Sequence, residues 1–364
     1  MKKIPVFYCG KVNSQGGSKQ SLLNILYLLN NTNFKFKIIV GNEGWFTNQL
    51  INNNISYSLI EEPAGIQEIN MQVNKLKIIF NSLLSIPKII INWFKVFKEN
   101  KKIKKKIILN EPRDLILFLP YLFSNNEIIL WLRSEELGII QSLLLNRVNK
   151  AVSVSSKTKK NVHSCKKDKI EVIYNFLEKP LNSQVRNNER KRITIAGSIQ
   201  PIKGQQDAIE SLLLLPETFT LNIVGRIVDY NYYNQLLKTI KKYNLEERVF
   251  FVGSKNKFLE YLNNNTDFIL MPSKTESFGR VAMEGMSLGI PVIAYRVGGL
   301  PEVIADGNTG ILLDYGDVKG LASAIQRLSE NREDYFNMSK KSLEVFQKKF
   351  SSEAILEKLK SVLY

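Results

Sequence analysis

The sequence predicts an α/β protein built from two doubly wound parallel-sheet domains. Three observations carry that expectation. The chain has 364 residues, more than one hydrophobic core usually organises. From residue 192 onward, apolar runs of strand length alternate with segments of helical periodicity, the pattern of a parallel sheet. Between the halves, EKPLNSQVRNNERK (178–191) is polar and contains Pro180, which reads as a linker.

In the first half, IPVFYC (4–9) reads as a strand, GKVNSQGGSKQ as a loop bearing Gly16 and Gly17, and SLLNILYLLN as a helix. FKIIV (36–40) is the next strand. This β–loop–α–β unit lacks G-x-G-x-x-G, so the dinucleotide fingerprint is absent. DLILFL (114–119), EIILWL (127–132), AVSVS (151–155) and EVIYN (171–175) read as further strands. The second half runs through RITIAGS (192–198), a helix from about 205, TLNIVG (220–225), a helix over 233–244, VFFVG (249–253) and a short helix. DFILMP (267–272), a helix, PVIAY (291–295), a short helix at 301–307 and TGILLD (309–314) follow. Helices near 317–329, 332–347 and 352–363 end the chain. The expected division is a first domain over 1–178, a linker over 179–191 and a second domain over 192–346. The last segment, 347–364, is expected to pack back on the first domain. Loops at the strand ends of two such domains predict a ligand cleft between them.

Hydrophobic content of 44% and charged content of 23% are those of an ordinary globular chain. The two cysteines, Cys9 and Cys165, are far apart, which excludes a disulfide framework and fits a reducing compartment. The apolar run in MKKIPVFYCG is too short for a signal segment and reads better as a first strand. The sole histidine, His163, lies among lysines in SSKTKKNVHSCKK and reads as a surface residue. It excludes any site needing two histidines. The net charge of +17 predicts attraction to polyanions. KLKIIFNSLLSIPKIIINWFKVF (75–97) is apolar but interrupted by Lys88, Lys95, Asn81 and Pro87, and KVFKENKKIKKK (95–106) follows. A spanning helix needs about 20 mostly apolar residues, so a basic amphipathic helix on an anionic membrane surface fits better. No nucleic-acid recognition motif accompanies the charge, so nucleic acid is not an expected partner.

One stretch carries chemistry. SKTESFGRVAMEGMSLGIPVIA (273–294) places Glu276 and Glu284 at the ends of an otherwise apolar run. Gly289 and Pro291 form a helix stop, which predicts a helix over 279–288 with Glu276 in the loop before it. Ala282 and Gly285 are small enough to let that helix lie close to a neighbour, and Met283 and Met286 read as core filler. The helix N-terminus at the carboxyl end of a parallel strand presents N–H groups to an anion.

With GGSKQ (16–20), VSVSSKTKKNV (152–162), VIYN (172–175), IAGSIQPIKG (195–204), FFVG (250–253) and the run 272–313, the chain resembles the retaining glycosyltransferases of family 4. The E-x7-E signature of that family is here Glu276 and Glu284. The resemblance implies the GT-B architecture of two facing Rossmann-like domains and transfer of a hexose or N-acetylhexosamine from a nucleoside diphosphate sugar. Uridine diphosphate sugars are the common donors of the family. Glu276 would accept hydrogen bonds from the donor sugar and Glu284 from the ribose diol. Backbone N–H groups of Ser277, Phe278 and Gly279 would meet the sugar and diphosphate. Gly16 and Gly17 would approach the diphosphate from the first domain. Gly225, Gly253, Ser254 and Lys255 fall on the donor side, the last two near the base. Lys203 would stabilise the leaving diphosphate. The chain departs from the family at Ser198, where many members carry arginine, and Arg226 or Arg280 is the expected substitute. Arg133 falls near the position where relatives place a histidine. There is no D-x-D, so the resemblance implies neither metal nor cofactor. It also implies a glycan acceptor. With the basic stretch, the acceptor is expected to be lipid-linked, as in capsule, O-antigen or lipopolysaccharide assembly at the cytoplasmic face of the membrane.

Overall fold

The computed structural model describes residues 4–10, 16–60, 105–134, 137, 139–163, 167–177 and 191–363, with 87 and 91. Two compact units emerge, Met1–Ile173 with Leu356–Tyr364, and Tyr174–Ile355. The basic amphipathic stretch and the linker lie outside the described residues, apart from Pro87, Ile91, Lys105, Lys106 and Lys191.

Among the described residues the first unit holds seven parallel strands: β1 (Pro5–Cys9), β2 (Lys37–Val40), β3 (Ser58–Leu59), β4 (Lys106–Leu109), β5 (Glu127–Leu132), β6 (Lys150–Ser153) and β7 (Ile170–Val172). Their order is β3-β2-β1-β4-β5-β6-β7. Chain growth reverses between β1 and β4, and that is the topological switch point. The central strands are apolar on both faces, so β1, β4 and β5 are almost wholly buried, as helices on both sides of a parallel sheet require.

Here the structure corrects two readings. DLILFL is not a strand: Asp114–Leu117 is helical and Leu119–Phe123 forms a 3-10 turn with Pro120 in its first turn. The Asp114 carboxylate accepts the Glu111 backbone N–H at 3.1 Å, which starts the turn, and a proline donates nothing to a central strand. The strand at this place is β4, whose KIIL hides at the end of the lysine run. Lys106 therefore does not belong with the solvated cations: it is buried and its ammonium reaches Glu127 at 3.3 Å.

The second unit holds six parallel strands: β8 (Arg192–Ala196), β9 (Thr220–Val224), β10 (Val249–Phe251), β11 (Phe268–Met271), β12 (Val292–Tyr295) and β13 (Gly310–Leu313). Their order is β10-β9-β8-β11-β12-β13, so the switch point lies between β8 and β11. One core cluster joins Ile193, Ile195, Leu221, Phe268, Leu270 and Ile293 of the sheet to Leu212, Leu236 and Leu328 of the covering helices. The sheet is tied at its amino edge by Asp267. Its carboxylate accepts from the Lys191 and Arg192 backbone N–H groups and pairs with the Arg192 guanidinium at 2.9 Å. In both units every strand pair is parallel among the described residues. Among those residues no helix is long and apolar enough to cross a membrane.

Candidate functional site

The loops that leave β8 and β11 at their carboxyl ends meet at the second switch point. Lys203 lies in the short 3-10 turn Pro201–Lys203, and Glu276 in the loop after β11. Lys203 Nζ and Glu276 Oε1 form an ion pair, joining residues 73 positions apart. The Ser273 hydroxyl donates to the same carboxylate oxygen at 3.3 Å. Backbone bonds hold the loops in place: Lys274 N–H donates to the Ile202 carbonyl at 2.9 Å, and Gly299 N–H, after β12, to the Glu276 carbonyl at 2.7 Å. Three loops thus fix one carboxylate and one ammonium at the edge where doubly wound sheets bind ligands.

The helix after Glu276 spans Arg280–Ser287, close to the expected span. Gly279 is its N-cap, with a φ of +97° that admits glycine readily and few other residues. Gly285 faces β11: a Cβ there would sit 2.4 Å from Ile269 Cδ1, so its lack of a side chain lets the helix lie against the sheet. Met283 and Met286 are fully buried core residues. Glu284 is buried too, and its Oε1 pairs with Arg280 one turn earlier at 2.5 Å. The two glutamates therefore sit in different surroundings, and each has its own cation.

Phe278, between Glu276 and the helix, anchors this loop. Its ring packs within 5.8 Å of Tyr174 and 5.7 Å of Phe350, and the Tyr174 hydroxyl donates to Glu302 at 3.2 Å. Sequence reading missed Tyr174 and Glu302, because contacts across more than 100 positions leave no local signal, and it also missed the local Ser273 bond to Glu276. Ser198 lies two residues past β8, and its hydroxyl accepts the Gln200 amide at 2.7 Å. Gly225 and the exposed Arg226 follow β9, while Gly253, Ser254 and Lys255 follow the edge strand β10. Lys255 Nζ lies 5.6 Å over the Tyr261 ring. Behind Lys203, Asp207 accepts the buried Tyr295 hydroxyl at 2.7 Å. Burial raises the Asp207 carboxyl above its ordinary range, against the lowering effect of that bond.

Gly16, Gly17 and Arg133 belong to the first unit. Gly16 caps the helix Gly17–Asn31, and Arg133 follows β5. A polar chain at this unit's own switch point holds the arginine. Arg133 Nε donates to Asn110 Oδ1 at 3.0 Å, Asn110 Nδ2 to Ser18 Oγ at 2.9 Å, and Ser18 Oγ to Glu111 Oε1 at 3.0 Å. Arg113 pairs with the other Glu111 oxygen at 2.9 Å. Asn110, Glu111 and Arg113 did not stand out in the sequence, since β4 itself went unread. Cys9, at the end of β1, is buried. Burial pushes its thiol far up, and the nearby Asp114 and Glu111 charges add to that. His163 is exposed. Among the described residues no group of three or more His, Cys, Asp or Glu is placed to hold a metal ion.

Residues 178–345 match the family model described as glycosyl transferases group 1. That segment is similar to the group 1 glycosyltransferases. It contains Ser198, Lys203, Arg226, Glu276 and Glu284, hence the whole of the second switch point. The chain is 30% identical over 207 residues to N-acetyl-alpha-D-glucosaminyl L-malate synthase of Bacillus anthracis, covering 54% of this chain and 53% of that one. It is 31% identical over 164 residues to D-inositol 3-phosphate glycosyltransferase of Corynebacterium glutamicum, covering 42% of this chain and 38% of that one. The chain spans about half the length of the curated relatives it matches. Among solved structures, Anabaena HepE in complex with UDP and glucose matches with a TM-score of 0.82 at 19% identity, covering 99% of both chains. With its two parallel-sheet Rossmann-like domains, the chain has the GT-B fold, and the segment matched by the group 1 model lies in the second of them.

Proposed function

We propose that this chain is a retaining glycosyltransferase. In this reading it moves a hexose or N-acetylhexosamine from a nucleoside diphosphate sugar, a UDP-sugar first, to a glycan acceptor. The observation that carries the reading is the Lys203–Glu276 pair at the second switch point, with Glu284 one helix further on. A carboxylate accepts two hydroxyls at once, which suits Glu276 to a sugar and Glu284 to a ribose diol. An ammonium beside the first carboxylate suits the diphosphate end of the same ligand. The HepE complex with UDP and glucose and the sugar-transferring names of the curated relatives support the donor class.

The chemistry follows from charge. The bond from the sugar C1 to the β-phosphate oxygen breaks, a bond from C1 to an acceptor oxygen forms on the same face, and the acceptor proton passes to the departing phosphate. Negative charge grows on the leaving diphosphate, so a fixed cation there favours the transition state over the ground state. Lys203 has that role, together with the N-terminus of the Arg280–Ser287 helix, and no metal is required. Arg133, set by the Asn110–Ser18–Glu111 chain, is a candidate on the first unit. Ser277, Phe278 and Gly279 contribute backbone to the donor loop, and Gly253, Ser254 and Lys255 the base side. Gly16, Gly17 and Gly225 keep the backbone open to the diphosphate.

The basic run before β4 and the net charge of +17 motivate the acceptor class, a lipid-linked glycan on an anionic membrane surface, as in capsule, O-antigen or lipopolysaccharide assembly. The test is nucleoside diphosphate release from a panel of nucleotide sugars in the presence of chelator, comparing wild type with Glu276→Ala and Lys203→Ala. Slow hydrolysis of one donor, lost in both variants, is the expected result. If wild type neither hydrolyses nor, by calorimetry, binds any member of the panel, the reading fails.

A further inference from the structure

We infer that Arg226 supplies the uncompensated positive charge that receives the donor's phosphate groups. This inference rests on the donor reading above and assigns a role within it. Its first support is a balance of charge at the second switch point. Of the cations there, Lys203 is committed to Glu276 and Arg280 to Glu284, one for one. These four side chains sum to zero, so apart from the local contact of Lys203 with the leaving oxygen they bring no net charge to match an arriving dianion. Arg226 is different: it is exposed, and its guanidinium has no hydrogen-bond or ion-pair partner among the described residues.

The second support is register. β8 and β9 run parallel with Ala196 opposite Val224, and beyond the strand ends Ile199 still pairs with Ile227. The same offset places Arg226 opposite Ser198. Two backbone bonds hold it there, Gly197 N–H to the Val224 carbonyl and Ile199 N–H to the Arg226 carbonyl, both at 2.9 Å. Neighbouring strands lie about 4.8 Å apart, less than the length of an arginine side chain. Ser198 follows the strand that borders the switch-point crevice, and its own side chain carries no charge. The stem of Lys203 lies over Gly197, 3.4 Å from where a Cβ would stand. Ser198, the Lys203 stem and Arg226 thus share one corner of the sheet edge. Arg280 is excluded from the role because freeing it would leave Glu284 buried without its cation. Lys274, in the loop after β11, is another exposed cation near this edge and serves as the comparison.

The experiment measures UDP and uridine binding by calorimetry at two salt concentrations for wild type, Arg226→Gln, Arg226→Lys, Lys274→Gln and Lys241→Gln. Lys241 lies on the exposed side of the Tyr230–Lys242 helix and controls for loss of one charge. Arg226→Gln is expected to weaken UDP about 10- to 100-fold, the size of a charge-assisted contact. It leaves uridine unchanged and flattens the salt dependence. Arg226→Lys should recover part of the loss, and Lys241→Gln should match wild type. If Arg226→Gln binds UDP as wild type does, or if Lys274→Gln carries the loss instead, the assignment to Arg226 is wrong while the donor reading stands. If wild type binds no nucleoside diphosphate in a full panel, the donor reading falls and this inference with it.

Discussion

Replacing Lys203 with methionine keeps the aliphatic stem over Gly197 and removes the ammonium from Glu276. The cost depends on how well water can replace the lost partner. The two side chains are 24% and 15% exposed, between a surface pair and a buried one. Surface pairs contribute roughly 0–1 kcal/mol, and breaking a fully buried pair costs about 3–5 kcal/mol. Lys203→Met is therefore expected to destabilise the second unit by about 2 kcal/mol, most of it from the orphaned Glu276 carboxylate. Glu276→Gln keeps the shape and the Ser273 contact but orphans the ammonium, at about 1 kcal/mol because Lys203 is the more exposed partner. In the double variant no charge is left unpaired, and a coupling energy of about 1–2 kcal/mol is expected. All three tryptophans, Trp45, Trp93 and Trp131, precede the second unit and do not report on it. The assay is hydrogen exchange across a urea series, read by mass on peptides covering β8 and β11. Additivity of the two substitutions within about 0.5 kcal/mol would refute the reasoning, because it would mean that the pair contributes no coupling.

Phe278→Ala removes a buried ring packed against Tyr174 and Phe350, and should cost about 3–5 kcal/mol and lower donor affinity. Tyr174→Phe keeps the rings, removes the hydroxyl that donates to Glu302, and should cost about 1 kcal/mol in a denaturant titration. Cys9 is buried and its thiol is raised, so iodoacetamide at about pH 8 should label it only after unfolding; rapid native labelling at that peptide would contradict its placement. Asp207 is raised by burial, so the folded chain holds this proton to higher pH than the unfolded chain. Its contribution to stability is full below about pH 4 and is lost as pH rises through the raised folded value. The stability of Asp207→Asn relative to wild type should therefore grow from about pH 4 to pH 7, and a flat difference would be inconsistent with that sign.

Much of the second unit was legible because each of its strands is a self-contained apolar run bounded by glycine or proline. The helix after Glu276 was legible for the same reason: its stop signals and small residues are local. The first unit was less so. KIIL follows directly on a lysine run that masks it, and DLILFL has the composition of a buried strand although Asp114 and Pro120 turn it into helix. Composition alone cannot weigh one side-chain bond against a sheet ladder.

By itself, the sequence determined the α/β class, the alternation that makes both sheets parallel, the positions of Glu276 and Lys203 in their loops and that of Glu284 in a helix. Each of these depends on neighbours a few residues away, and such neighbours set backbone geometry and periodicity. Only the tertiary structure decided which cation serves which carboxylate, that Lys106 is a core residue, and that Arg226 stands opposite Ser198. It also decided that Tyr174 and Phe350 hold the loop of Phe278. Those facts depend on packing, strand order and register, which bring together groups up to 176 positions apart in the chain. Charge pairing and ring packing act through space over a few ångströms, so the chain's linear order carries no record of them until the sheet has formed.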